Sequence, residues 1–422
     1  MPEIFAVAEV QLWGRRVGAV SEETNGRITF EYDPAFARSG LEISPIKLPL
    51  SITGPLNFDE LRRLEAFAGL PGVLADALPD RFGNAIIRKY FEERGRAEYA
   101  ISPVQKLLYM GSRAMGALEF RPALRIPATA AERQSLELGE LMRQARVLIE
   151  GKTDVVVPEI MRIGSSAGGA RAKAVILWNR DKNEIRSAFV KPRQGDEHWL
   201  IKLDGVGELG VPNPKSQSYN RIEYAYSLMA RDAGIDMPPT QLLEERGFAH
   251  LMVKRFDRSG ERKLHMHSLG GMQHIDYNVP GLFSYEQYLR TVLALNLGYE
   301  ALEQAYRRAI FNVLAVNQDD HVKNLSFLME DQGRWLLAPA YDLTFARGLG
   351  YTRTHQITLA GKSDGFTGKD LLSVAVEFGI KQGGKAVLEQ AREALKGWER
   401  DAKQAGVPAS DRKRVRTQFR RL

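Results

Sequence analysis

Short alternating runs of apolar and polar residues open the chain. In AEVQLWGRRVGAVS and GRITFEYDPAF apolar positions recur every second residue, with glycine-containing turns between runs, which predicts a small antiparallel sheet. The spacing lengthens to three and four in FDELRRLEAFAGL and GNAIIRKYFEERG, which predicts helices. From about residue 130 a helical segment, AERQSLELGELMRQARVLIEG, leads into VVVPEIMRIGSSAGGARAKAVILWNRD, expected as strand, glycine-rich turn and strand. Further strands are expected in SAFVKPR and HWLIKLDG. Between residues 219 and 233 Ile222, Ala225, Tyr226 and Met229 share one helical face, and QLLEERGFAHLMVKRFD reads as a hairpin. Beyond residue 284 the pattern is mainly helical, in YEQYLRTVLALNLG, ALEQAYRRAIFNVLAV, GKDLLSVAVEFGI and AVLEQAREALKGWERDAKQAG. The class that follows is α+β. It has a small mostly-β N-terminal region (1–125), a strand-rich part (126–260) and a helix-rich part (261–422).

Composition narrows this little. A chain of 422 residues with 44% hydrophobic content exceeds one compact domain, so two or three domains or lobes are expected. The start, MPEIFAVAEVQLWGRR, has no basic flank before an apolar run, and no stretch of about 18 uncharged apolar residues occurs. A soluble cytoplasmic protein without a membrane partner is therefore expected. Cysteine is absent, which excludes disulfides, thiolate metal sites and a cysteine nucleophile. The excess of 59 Lys and Arg over 52 Asp and Glu, +7, suits phosphate-bearing ligands or nucleic acid.

The densest chemistry lies in NQDDHVKNLSFL, residues 317–328, where ionisable groups crowd just before the chain enters its core. Asp319 and Asn324 stand five positions apart at a predicted helix end. A hairpin pattern, LSFLMEDQGRWLLAP, and then AYDLTF with Asp342 follow. Phosphoryl transfer needs such parts: one carboxylate to orient the attacking hydroxyl, and an amide oxygen with a second carboxylate to hold Mg²⁺ on the phosphates of ATP. Protein kinases keep the same order, an Asp-x-x-x-x-Asn loop before an Asp that opens the next segment. A polar helix terminus followed by an ordinary hairpin would also give the first spacing; the placement of Asp342 favours the kinase arrangement.

Such an enzyme also needs a loop over the phosphates and a strand lysine. GSSAGGARAKA (164–174) supplies Gly164, Gly168 and Gly169, whose backbone can approach phosphate oxygens, and Lys173; LIKLDG supplies Lys202. Neither the P-loop nor the kinase Gly-x-Gly-x-x-Gly pattern is present, so this loop could equally be a plain hairpin turn. GIKQGGKA (379–386) lacks the Mg²⁺-binding hydroxyl of a P-loop and follows a helix, so it is set aside.

Taken in order, LWGRRVG, FEYDPAF, LPL, DALPDRFGNAII, GSSAGGARAKA, IKLDG, NRIEY, VKRFDR, NQDDHVKNLSFL and LAPAYDLTF resemble the HipA-type serine/threonine kinases, toxins of bacterial toxin and antitoxin modules, over nearly the whole length. The resemblance implies a bilobal protein-kinase-like core behind the N-terminal subdomain. It implies Asp319 as the catalytic aspartate and Asn324 and Asp342 as Mg²⁺ ligands. Lys202 would contact ATP phosphates, and the loop of Gly168, Gly169, Ala170, Arg171, Ala172 and Lys173 would cover them. Backbone groups of Lys254, Arg255 and Phe256 would meet the adenine, Asp257 would lie near the ribose, His321 and Lys323 would line the phosphate side, and Tyr341 would border the nucleotide. By position Ser166, with Ser165 beside it, matches the family's autophosphorylated serine, whose phosphate would expel the loop. A HipB-like DNA-binding antitoxin and a protein substrate, an aminoacyl-tRNA synthetase by family analogy, are the implied partners, with DNA contacted mainly through the antitoxin.

Four further expectations complete the picture. Glu223 could pair with Lys202 as a helix carboxylate does in protein kinases. His265, His267 and His274 could ligate a metal, though a segment between lobes is the plainer assignment, and HMHSL departs from the family pattern where the protein target is expected to lie. DRKRVRTQFRRL carries six basic residues and one acidic, which suits DNA contact or, more simply, a solvated helical tail. A small-molecule kinase of the aminoglycoside or sugar type and a catalytically silent ATP-binding regulator are the alternatives to a protein kinase.

Overall fold

The computed structural model describes residues 3–95, 101–124, 138–149, 171–208, 211–212 and 217–422. At the N-terminus five antiparallel strands lie in the order Leu56–Asn57, Ile28–Tyr32, Arg15–Glu23, Ile4–Leu12, Leu118–Arg121. Alternation buries Ala8, Val10 and Leu12 on one face of the first strand. Trp13 and Gly14, both at positive φ, make the tight turn into the second strand. The helix expected in FDELRRLEAFAGL does not form. Asp59–Leu61 makes one 3₁₀ turn, and Ala68 and Gly69 adopt left-handed backbone just before Pro71. Leu61, Phe67 and Leu70 are buried instead through successive turns, so tertiary packing overrides the helical spacing.

A second antiparallel sheet has the order Thr240–Glu245, Phe248–Lys254, Asp196–Lys202, Lys173–Asn179, Glu184–Ser187. SAFVKPR is not a strand. The turn at Arg180–Asn183 sets a register in which pairing with Lys173–Asn179 ends at Ser187, and Pro192 could not extend it. The helix Arg81–Glu92, capped by Asp80 on Gly83 N at 2.7 Å, buries Phe82, Ile86, Ile87 and Tyr90. These side chains share a core with Trp178, Trp199 and Ile201 of this second sheet, so early residues complete the lobe that carries Lys202.

The rest is a helical body. The helices Tyr219–Asp232, Tyr285–Ala294, Tyr299–Leu314, Gly368–Glu377 and Lys385–Lys396 surround a core that includes Tyr226, Tyr288, Phe311 and Trp398. Against it lies a three-stranded sheet of His265–Ser268, Ser326–Met329 and Trp335–Leu337. The expected solvated tail is in fact docked: Val415 is fully buried and Phe419 packs on Trp398 and Tyr226. Its arginines pair with Glu399, Asp411 and Asp364. Val415, Phe419 and Leu422 anchor this basic stretch on the core. No described helix is long and apolar enough to cross a membrane.

Candidate functional site

Three distant stretches converge on a cleft between the second sheet and the helical body. Lys202 ends its strand in register with Leu251 and Lys173. Asn220 on the facing helix donates to Lys202 O and Ala249 O, each at 3.0 Å, and so fixes the helix against the sheet. Glu223, three residues on and on the same helical face, then meets Lys202, with Nζ 2.5 Å from Oε1. The pair anticipated for Glu223 therefore forms. Lys202 also pairs with Asp342. Burial works against the Lys202 charge, but Asp342 and Glu223 outweigh it and raise its pKa. Burial pushes the Glu223 carboxyl up against the pull of Lys202. At Asp342 burial opposes the charge too, yet Lys202 and Lys173 hold the carboxyl below its usual range.

The loop carrying Asp319 begins where the helix Tyr299–Leu314 ends. Val316 there adopts φ 58°, rare for a β-branched residue. Asn317 holds that turn by donating from its backbone and its side chain to Asn312, both at 3.0 Å. The two adjacent aspartates then separate in role. Asp320 is buried and accepts from Tyr285 Oη, His355 Nδ1 and Gln356 N at 2.7–2.8 Å. Asp319 faces a polar cavity of about 590 Å³ that it shares with Arg171, Lys202, His321, Asn324 and Asp342. Crowding by protein atoms, then the charges of Asp342 and Asp320, push the Asp319 carboxyl up to about 7. Its side chain keeps 44% of its surface accessible, so water offsets part of that rise.

Asn324 donates from Nδ2 to Asp319 O at 3.0 Å, and its Oδ1 accepts no hydrogen bond among the described residues. That oxygen and the Asp342 carboxylate are hard donors in one cavity. Among the described residues no group of three or more His, Asp or Glu side chains could hold a metal. A cation here would complete its shell from phosphate oxygens and water, as Mg²⁺ does, so the residues fit Mg²⁺. Asp342 itself sits at φ 54°. Burial drives His321 down to about 4, which leaves it neutral 3.9 Å from Asp319.

Adjoining this cavity is a mostly apolar slot lined by Leu200, Leu251, Val253, Phe256 and Met266, and sharing Lys202, Asn324 and Asp342 with it. Lys254, Arg255, Lys323 and Tyr341 also border the slot. Lys254 N and Arg255 N donate to Pro239 O and His198 O, each at 2.9 Å, and so fix this segment along the slot. Tyr341 packs on Phe256 and donates to Lys323 O at 2.7 Å.

Asp257 lies elsewhere. Its carboxylate is fully buried between Arg255 and Arg258 and accepts from Gly116 N at 2.8 Å, so it does not reach the slot as the ribose role requires. Burial opposes its charge, but the two guanidiniums hold it well below the usual carboxylate range. Ser165, Ser166, Gly168, Gly169 and Ala170 lie outside the described residues. Of the glycine loop's end, Arg171 stacks over Tyr219 and borders the polar cavity, Ala172 is buried, and Lys173 forms a buried pair with Asp80 at 2.9 Å.

The three histidines are held by protein partners of the N-terminal region. His265 Nε2 bonds Ile43 O, His267 bonds Ser44 and Asp76, and His274 accepts from Gly72 N, so HMHSL is a buried seam with the N-terminal region. Through that seam Asp76 and Met115 reach the slot. Sequence reasoning gave neither a role. DALPDRFGNAII contains Asp76 and Asp80, but nothing local shows that Asp80 pairs with Lys173 or that Asp76 meets His267 and Ser268, all far along the chain.

Against known proteins, the HipA N-terminal domain family matches residues 8–121 and the HipA-like C-terminal domain family matches residues 165–398. "Putative kinase Y4dM" of Sinorhizobium fredii is 24% identical over 97% of this chain and 95% of its own length. A Haemophilus influenzae protein named "Putative kinase" is 29% identical over 35% of this chain and 47% of its own length. In structure the chain is similar to one from the Shewanella oneidensis toxin–antitoxin complex of HipA, HipB and operator DNA. That match has a TM-score of 0.64 and 18% identity, and covers 97% of this chain and 95% of the other, a likeness of fold.

Proposed function

The chain belongs to the HipA family, and from that premise we propose that it is an ATP-dependent kinase that phosphorylates serine or threonine on a cytoplasmic protein. One observation carries this: Asp319, Asn324, Asp342 and the Lys202–Glu223 pair border one polar cavity that opens into an apolar slot of the kind that takes a planar base. In this mechanism Asp319 orients the target hydroxyl and accepts its proton; a carboxyl raised well above its ordinary range is better suited to that exchange at neutral pH than an ordinary carboxylate. Lys202 steers the phosphates, and Glu223 keeps it in place. Asn324 and Asp342 would hold Mg²⁺, whose charge compensates the phosphate oxygens. Neutral His321 beside Asp319 adds no competing charge.

The same premise extends to partners and control. A HipB-like antitoxin would restrain the enzyme and tie it to operator DNA, as the named partners of the Shewanella protein suggest. Growth inhibition through an aminoacyl-tRNA synthetase, and silencing by phosphate on Ser166 or Ser165, follow from the family resemblance. Purified chain incubated with labelled ATP and a cell lysate, beside Asp319→Ala, tests the proposal. A labelled protein band lost in the variant supports it. A labelled metabolite instead points to a small-molecule kinase, and ATP binding without transfer to a silent regulator. Replacing both loop serines by alanine should abolish self-labelling; persistence at full strength removes that control.

A further inference from the structure

Arg420 lies beyond the last helix, far from the cleft in sequence, yet its side chain is only 14% exposed. Its backbone N donates to Leu314 O at 3.0 Å and its guanidinium to Val313 O at 2.7 Å. Both carbonyls belong to the last turn of the helix that feeds the Asp319 loop; Val313 O also accepts from Val316 N at 3.4 Å, and Arg420 adds a second donor there and one on Leu314 O, so it caps the helix end. The same guanidinium meets His355 Nε2 at 2.7 Å and Asp364 at 2.6 Å.

The contact with His355 has a chemical consequence. A guanidinium only donates, so His355 Nε2 must accept, and the imidazole is the neutral form carrying its proton on Nδ1. That Nδ1–H then donates to Asp320 at 2.8 Å. Asp320 is peptide-bonded to Asp319 and is held from its other sides by Tyr285 and Gln356. With its amide turned so that the nitrogen donates to Thr352 O, the orientation that satisfies both of its polar atoms, Gln318 accepts from Arg420 at 3.3 Å, a second tie to the same loop.

We infer that Arg420 is a positioning residue for Asp319, acting through His355 and Asp320 and through the cap on the preceding helix. This rests on the assignment of Asp319 as the group that accepts the hydroxyl proton. Arg420 touches no reacting atom. It sets where the carboxylate stands, and displacements of about 1 Å in such a group can slow a reaction on the order of 100-fold.

Hydrogen exchange of residues 317–325 in the full chain tests the positioning without needing turnover. Arg420→Ala should speed exchange of this loop about tenfold or more, by loss of two or more hydrogen bonds, while the strands Ile4–Leu12 and Arg15–Glu23 stay as in wild type. Unchanged loop exchange overturns the inference. In phosphoryl transfer, kcat should fall about tenfold to 100-fold with KM for ATP unchanged. Arg420→Lys, which restores a donor to His355, should recover part of it. His355→Asn keeps a donor for Asp320 but loses the acceptor for Arg420, so combining it with Arg420→Ala should add little to either alone. Additive effects, or a raised KM with kcat unchanged, overturn the relay, and the His355→Asn comparison decides if Arg420→Ala fails to fold. If loop exchange responds while the wild-type chain transfers no phosphate, the kinase proposal falls and the positioning of the loop stands.

Discussion

Asp257→Asn separates two roles for one carboxylate. As a ribose ligand it would be dispensable for folding. In the structure it accepts four hydrogen bonds, two from Arg255, one from Arg258 and one from Gly116 N, and the two guanidiniums are 2% and 8% exposed. Removing one partner of a buried ion pair costs about 3–5 kcal/mol, because the remaining charge stays buried. Asparagine keeps one acceptor oxygen, so about 3 kcal/mol is expected. An unfolding entropy of about 2.1 cal/mol/K per residue over this chain is about 0.9 kcal/mol/K, so the melting temperature should drop about 3–4 °C if the chain unfolds as one unit. A smaller cooperative unit would shift more. The sign with pH follows from the depressed folded pKa: the stabilisation is present above the unfolded value near 3.9 and is lost as pH falls toward the folded one, so the variant and wild type should converge in acid. Urea unfolding followed by the fluorescence of Trp178 and Trp199, both in the adjoining sheet, measures the loss. Titration with a fluorescent ATP analogue measures the other role. An unchanged urea midpoint with binding weakened tenfold or more would refute the structural assignment.

Other perturbations test the site and its supports. Because the folded Asp319 carboxyl is pushed up toward about 7, less what water offsets, and the unfolded one titrates near 3.9, the folded chain binds more protons between those values and stability falls as pH rises through them. Asp319→Asn should therefore melt above wild type at pH 8 and equal it at pH 4, while phosphoryl transfer drops by about 100-fold or more; equal melting at both pH values would contradict the raised pKa. Lys202→Met leaves Glu223 and Asp342 without the cation between them, whereas Glu223→Gln leaves Lys202 with Asp342, so nucleotide titrations should show the larger loss for Lys202→Met; the reverse order would disprove the pairing. Gly72→Ala would put a Cβ 2.0 Å from Gly271 O, forcing apart the seam between the N-terminal region and the helical body. Overpacking of this kind costs about 1–3 kcal/mol, and limited proteolysis should release an N-terminal fragment sooner than in wild type.

What could be read from sequence was what repeats locally or sits close along the chain. Ile222, Ala225, Tyr226 and Met229 are spaced to share a face, and they are buried together. FDELRRLEAFAGL has similar spacing, but Ala68 and Gly69 turn left-handed and Pro71 follows, so the periodicity marks three buried positions on turns instead of one helical stripe. Asp319 and Asn324 share a loop, and their approach is set by one hydrogen bond within it. Which of Asp319 and Asp320 faces the cleft is decided by Tyr285, His355 and Gln356, none of them near in sequence. Asp257 shows the same limit from the other side: VKRFDR looks like a nucleotide-contacting turn, yet Gly116 N and two arginines draw the carboxylate into the protein.

The supports of the cleft also tie the N-terminal region to it. Asp80 pairs with Lys173 at the foot of the glycine loop, Asp76 clamps the HMHSL seam, and Met115 lines the slot. A ligand in the slot would thus touch side chains from both ends of the seam. Any binding energy that depends on Asp76 or Met115 is lost when the seam opens, so nucleotide binding must, by linkage, resist that opening. Nucleotide should accordingly slow the proteolytic release of the N-terminal fragment from Gly72→Ala, and an unchanged cleavage rate at saturating ATP would show that the slot and the seam are energetically independent.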